Sequence, residues 1–224
     1  ILFGMSPFDA INHAVAALST GGFSTRAESI GYYNSTAIEM VTVILMLLGS
    51  TNFFVHLLLL KGKFKEFISH CEVRLMLFLL ALFVPSLTVL LMNGVYSNVP
   101  VSLRAALFQA VSALTTTGFQ TVESFAAWTP AMMFLMILLM LIGGGAGSTA
   151  GGLKIYRVYV MLKEIWWKLV RDAHPDRVVF TEQINRGGKK EVITDREKNR
   201  INAFVFFYLL LFAVGSFVFC CYGY

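Results

Sequence analysis

The apolar positions of this chain run together instead of alternating with polar ones. Residues 37–60 hold a single charge, Glu39, and residues 75–92 and 201–224 hold none. Each run falls within the roughly 17–25 residues that a helix needs to cross about 30 Å of hydrocarbon. A fourth run, 126–153, is uncharged for 28 residues, but its second half is glycine and small polar residues. Shorter apolar runs lie between the spans. One of them, 102–114, has 13 residues and makes a helix of only about 20 Å. The connections before and after it, 93–100 and 122–127, must then lie on the same side of the membrane. The segment dips in and returns, which is tolerated only where it lines a water-filled cavity or is packed in protein. The predicted class is an all-α membrane protein with re-entrant loops.

The re-entrant element is written twice. "LSTGGFST" at 18–25 returns as "LTTTGFQT" at 114–121, displaced by 96 positions. Residues 9–25 and 105–121 share nine identities in seventeen, among them Ala17/Ala113, Leu18/Leu114, Thr20/Thr116, Gly22/Gly118, Phe23/Phe119 and Thr25/Thr121. Each copy leads into a span with a matching inner stretch, "LMLLG" at 45–49 and "LMLIG" at 139–143. An internal repeat in a membrane protein marks pseudo-symmetry around a pathway.

Composition agrees with the pattern. The apolar share is 57%, phenylalanine occurs 20 times, and the mean hydropathy is +0.70. A soluble domain of this size would lack the polar surface to cover itself. The three cysteines, Cys71, Cys220 and Cys221, are too few and scattered for a disulfide framework or a zinc site. Of 18 Lys and Arg, four fall in 61–74 and twelve in 154–200. The positive-inside rule assigns those two segments to the cytoplasm, and the spans then alternate in direction. The net +5 is therefore a topology signal; seven acids mixed into the second segment speak against nucleic-acid binding. No basic n-region or Ala-x-Ala site opens the chain, so no signal peptide is expected. Both ends read as cut from a longer protein.

Thr and Gly before a Gly-Phe have a chemical use. Glycine lets the backbone run extended with its carbonyl turned inward, and threonine hydroxyls add oxygen acceptors. A ring of such oxygens can replace the hydration shell of an alkali cation. The helix before each loop points its partly negative C-terminal end at that place. Surrounding an ion takes four loops, of which this chain holds two. The other reading is a tight helical hairpin that needs glycine only to turn.

With "STGGFST", "TTTGFQT", "GSTNFFVH" at 49–56 and "GGGAGSTAGGLK" at 143–154, the chain resembles the Trk/Ktr/HKT superfamily of cation transporters along essentially its whole length. The resemblance implies four consecutive helix–pore-loop–helix units around one pore. Residues 1–60 would be the pore loop and second helix of unit two, and 61–74 a cytoplasmic loop. Residues 75–171 would be all of unit three, 172–200 a second cytoplasmic loop, and 201–224 the first helix of unit four. The implied selectivity filter comprises Ser19, Thr20, Gly21 and Gly22 with Thr115, Thr116, Thr117 and Gly118. The transported potassium ion would sit at Thr20, Gly22, Thr116 and Gly118. The resemblance also implies a homodimer in the lipid bilayer, a cytoplasmic nucleotide-binding regulatory subunit, and the inner membrane of a bacterium or archaeon. Sodium selectivity within the same family, or a membrane scaffold or enzyme that uses the repeats only for helix packing, are the competing readings. There is no paired-carboxylate site, nucleophile–base set or cofactor box, so no enzyme is expected.

The tract Gly143, Gly144, Gly145, Ala146, Gly147, Ser148, Thr149, Ala150, Gly151 and Gly152 holds a Gly-x-Gly-x-x-Ala match. Its context is a membrane span and not a strand, and no Gly-Lys-Ser/Thr follows, so neither nucleotide motif applies. Each of its six glycines costs about 0.8–1 kcal/mol in a helix, so the helix should unwind here. In the family the corresponding loop of unit three is a gate beneath the filter. Close packing of helices through small residues is the alternative.

Single residues draw shorter expectations. Glu39 and Glu123, with Asp9 and Glu28, either attract cations at the outer mouth or form a solvated face. Asn52 and His56 share one helix face as interhelical hydrogen-bonding groups. His13 aligns with Gln109 in a structural role. Lys154 neutralises loose helix carbonyls or repels ions. Residues 163–171, with Trp166 and Trp167, form an interfacial anchor, and 185–198 is a polar loop.

Overall fold

The computed structural model describes residues 1–173 and 182–223, so part of the 172–200 loop and the last residue of 201–224 lie outside the described residues. The fold is helical. α1 (Pro7–Leu18) starts at Ser6, whose hydroxyl accepts the Asp9 N–H at 3.1 Å, with Pro7 in the first turn. A short 3-10 turn, Ser29–Tyr33, precedes α2 (Thr36–Ser50), α3 (Phe53–Leu60) and α4 (Phe64–Ser69). Next come α5 (Cys71–Gly94), α6 (Val99–Leu114), α7 (Pro130–Ile142) and α8 (Ile155–Asp172). A two-stranded antiparallel hairpin, β1 (Gln183–Arg186) and β2 (Lys189–Val192), leads to α9 (Asp195–Cys221).

Among the described residues, two helices, α5 and α9, are long and apolar enough to cross a membrane singly. The predicted span over 37–60 is not one rod. α2 and α3 meet at a bend of 111°, because Thr51 leaves the helix and the Asn52 side chain caps α3 by accepting the Phe54 N–H at 2.9 Å. Asn52 and His56 both belong to the α3 side of the bend, Asn52 as its N-cap. Asn52 caps, and the His56 ring bonds back to Leu48 O at 2.9 Å across the bend. The polar segment 185–198 is also more ordered than a loop. Gly187 and Gly188 turn the β hairpin, both with positive φ.

α6 is the centre of the packing. Ala105, Ala106, Ala110 and Ala113 face the cluster built with α5 and α7, where Leu87, Leu91, Met132 and Leu139 are buried. Phe108 and Val111 face α1 and α2 through Ala17, Ile38 and Met46. Lipid tails give no hydrophobic drive to pair helices, so close approach through small residues supplies the contact. A third cluster joins Tyr156 and Val160 of α8, Ile184 and Ile193 of the hairpin region, and Ile201 and Val205 of α9. α8 keeps Leu162, Ile165, Trp166 and Leu169 exposed on one side, the amphipathic form expected of an interfacial helix.

Candidate functional site

α1 and α6 end in the same way. The helix caps are Ser19 and Thr115, and the next residue, Thr20 or Thr116, is left-handed at φ 51° or 55°. Its N–H bonds to Ala17 O at 3.1 Å in the first copy and Ala113 O at 3.0 Å in the second. The following N–H, of Gly21 or Thr117, reaches back to Ala16 O at 2.8 Å or Ser112 O at 3.0 Å. This is the Schellman arrangement, whose left-handed residue is usually glycine. A β-branched residue there carries strain of about 1–2 kcal/mol, and it does so in both repeats.

The structure brings the two loops together. Gly22 has φ 68°, and a Cβ on it would lie 1.9 Å from Thr117 O, so only glycine allows this approach. Gly118, with φ 86°, has no described atom within 4 Å of the same point. Ser19 and Gly21 are exposed, Gly22 and Thr116 half-buried, Thr20, Thr115 and Thr117 buried, and Gly118 exposed. The Thr115 and Thr117 hydroxyls lie 2.8 Å apart. In the second copy the Ser112 hydroxyl donates to Phe119 O at 2.7 Å. The first copy has Ala16 there and uses other straps: His13 Nε2 meets Ser24 Oγ at 2.8 Å, and Asp9 accepts from Thr25 at 2.6 Å and Arg26 at 2.9 Å.

The glycine tract closes on itself directly against these loops. α7 stops at Gly143, φ 72°. The N–H groups of Leu153, Lys154 and Ile155 then bond to the carbonyls of Leu141, Ile142 and Gly144 at 2.9, 2.9 and 2.8 Å. The tract leaves and re-enters the helix direction at one pinched neck, where a Cβ on Gly143 would lie 2.2 Å from Gly151 O. The Lys154 ammonium donates to the carbonyls of Ser148 and Ala150, consistent with a side chain that neutralises free carbonyls.

Three sets of contacts hold the tract. On the α2–α3 bend, Gly145 N bonds to Ser50 O at 2.8 Å, and Phe53 N bonds to Gly147 O at 3.2 Å. On α5, buried Glu72 accepts the Ala146 N–H at 2.9 Å. On the two repeated loops, Gly151 N donates to the Thr116 hydroxyl at 2.6 Å, and the Thr149 and Thr20 hydroxyls are 3.2 Å apart. Thr149 Oγ1 also lies 3.0 Å from Leu18 O and 2.9 Å from Gly49 O.

Sequence reading missed the bend, Glu72 and the threonine contacts. A signal for the bend exists: Gly49-Ser50-Thr51 recurs as Gly147-Ser148-Thr149, and the two stretches bond to each other. Glu39 is not a free mouth carboxylate. It is buried and takes a bidentate contact from Arg104 at 2.6 and 2.8 Å, which ties α2 to α6. Glu28 and Glu123 do line an open cleft of about 550 Å³ with Asn34, Tyr96, Thr121 and Trp128.

The profile of the TrkH family, described as cation transport protein, matches residues 3–223. The chain is 36% identical over 214 residues to the Trk system potassium uptake protein TrkH of Escherichia coli, covering 95% of this chain and 43% of that protein. It is 33% identical over 184 residues to an uncharacterized cation transporter of Methanocaldococcus jannaschii, covering 82% of this chain and 36% of that one. The crystal structure of the potassium transporter TrkH from Vibrio parahaemolyticus superposes with a TM-score of 0.84 at 34% identity, over 95% of this chain and 45% of that chain. The chain thus spans less than half the length of these relatives.

Proposed function

This chain belongs to the TrkH family of cation transport proteins, a membrane family of transporters and not enzymes, and from that premise we propose that it forms part of a potassium pathway. In this reading 1–60 and 75–171 supply two of four pore units, 201–224 begins another, and 61–74 and 172–200 face the cytoplasm. The backbone oxygens of Ser19, Thr20 and Gly21 and of Thr115, Thr116 and Thr117, bounded by Gly22 and Gly118, replace water around a potassium ion. The tract 143–152 is the gate beneath them. It is uncharged, so it blocks an ion without trapping one, and its glycines let the backbone change path at low strain. The permease works in the inner membrane of a bacterium or archaeon as a homodimer, and a nucleotide-binding subunit docks on the cytoplasmic side.

One observation supports this reading above the rest. Two sequence-related helix ends meet at Gly22 and Thr117, and the tract is hydrogen-bonded to both. A protein that used the repeats only to pack helices would have no reason to fold a non-helical segment back onto both loops. The test is rubidium tracer uptake and the sodium-to-potassium permeability ratio of the full-length protein in liposomes, with Gly118→Ser, whose side chain meets open space. The expected result is potassium-selective uptake that loses selectivity in the variant. Uptake that prefers sodium would reassign the cargo, and an unchanged ratio in the variant would remove the filter.

A further inference from the structure

The left-handed position after each pore helix is one that glycine fills without strain, yet Thr20 and Thr116 occupy it in both repeats. Neither is needed to turn the chain, since the two backbone bonds of each cap would form with glycine. What threonine adds at this place is a hydroxyl with a fixed aim. In both copies it meets the tract, and in the first copy it also donates to Ser19 O at 2.7 Å. The Thr116 hydroxyl accepts the Gly151 N–H at 2.6 Å, and the Thr20 hydroxyl lies 3.2 Å from that of Thr149. Two residues related by the 96-residue displacement therefore touch a segment that lies outside both copies of the loop motif. Thr149 adds to the same junction by reaching Leu18 O, the last carbonyl of α1, at 3.0 Å.

We propose that Thr20 and Thr116 are positioning residues that latch the tract 143–152 beneath the two loops, so that the tract cannot withdraw without freeing both hydroxyls. The inference rests on the filter-and-gate reading and deepens it. A latch made of filter-loop side chains couples the two devices in both directions. Whatever stabilises the withdrawn tract releases the loops, and whatever shifts the loops loosens the tract. The strained backbone has a role in this arrangement. It brings each hydroxyl within reach of the tract, and glycine at the same position would keep the turn and lose the latch.

The test uses the full-length protein in liposomes without its regulator, measuring rubidium uptake, the sodium-to-potassium permeability ratio and the melting temperature. Four variants are compared: Thr116→Gly, Thr116→Ser, Thr149→Val, and deletion of residues 146–150. Loss of one such hydrogen bond shifts an equilibrium by about threefold to tenfold. Thr116→Gly and Thr149→Val should each raise uptake by that factor, with no fall in melting temperature for Thr116→Gly. Thr116→Ser keeps the hydroxyl, so its uptake should rise less than that of Thr116→Gly. If the deletion raises uptake but Thr116→Gly and Thr149→Val do not, the latch is wrong and the gate stands. If the deletion itself leaves uptake unchanged, gate and latch fall together. A permeability ratio altered by both Thr116→Gly and Thr116→Ser, with Thr149→Val silent, would make the hydroxyl an ion ligand and overturn the latch.

Discussion

Phe23 and Phe119 hold the same place in the two repeats, and their exposures are 83% and 1%. The helices before them differ in the same sense. α1 exposes Ile11 and Val15, whereas ten of the residues of α6 are buried. Their ends are nonetheless equivalent, with matching caps, matching left-handed threonines and matching back-bonds. Local sequence therefore suffices to write the loop backbone, because a Schellman cap closes within six residues. Burial of the side chains around it is decided by neighbours. α6 has α5 and α7 on one side and α1 and α2 on the other, while the outward face of α1 meets no described element.

Several substitutions would break or sharpen that contrast. The largest effect is expected at the contact between the copies. Gly22→Ala would put a methyl 1.9 Å from Thr117 O at a positive φ, so the two loops must separate and assembly of the folded protein should collapse. Gly118→Ala has open space and meets only the left-handed penalty of about 1–2 kcal/mol. Purified yield and melting temperature of the two variants measure the difference, and equal losses would place the contact elsewhere.

Phe119→Ala should cost about 3–5 kcal/mol through the cavity it leaves, read as a fall in melting temperature. Ser112→Ala comes next, at about 1–3 kcal/mol, because it leaves buried Phe119 O without its donor. The first copy already has alanine at that position, Ala16, so the reverse change there should stabilise nothing. Phe23→Ala is the smallest, within about 0.5 kcal/mol in this chain. A full-length protein that loses as much stability at Phe23 as at Phe119 would show that other parts of the protein bury the first loop too.

Much of the fold could be read because its determinants are local. The repeat, the short helices, the caps and the unwinding at Gly143 all follow from residues within a turn or two. The 111° bend between α2 and α3 was not legible in the same way. Residues 45–60 carry no acidic or basic side chain apart from His56, and the polar run Ser50-Thr51-Asn52 does not by itself give the direction of a bend. The bend is held by Gly145 and Gly147, about 95 residues further on. Glu72 escaped for the same reason: a carboxylate beside a span looks like a solvated end until Ala146 is seen to donate to it. Glu39 read as a mouth charge because Arg104, 65 positions away, is its partner. The Gly-Gly turn of the β hairpin, by contrast, was present in the sequence at Gly187 and Gly188 and could have been read directly.

The central claim is that the tract 143–152 closes a path under the two loops, and deletion of residues 146–150 in the full-length protein tests it most directly. The deletion removes the Glu72 and Thr149 anchors together. Tracer uptake and melting temperature are measured on one purified preparation. The account predicts a sharp rise in rubidium uptake, weaker control by the cytoplasmic regulator, and a potassium preference that survives because the loops at Gly22 and Gly118 remain. An unstable protein with little uptake would contradict it and make the tract a packing surface.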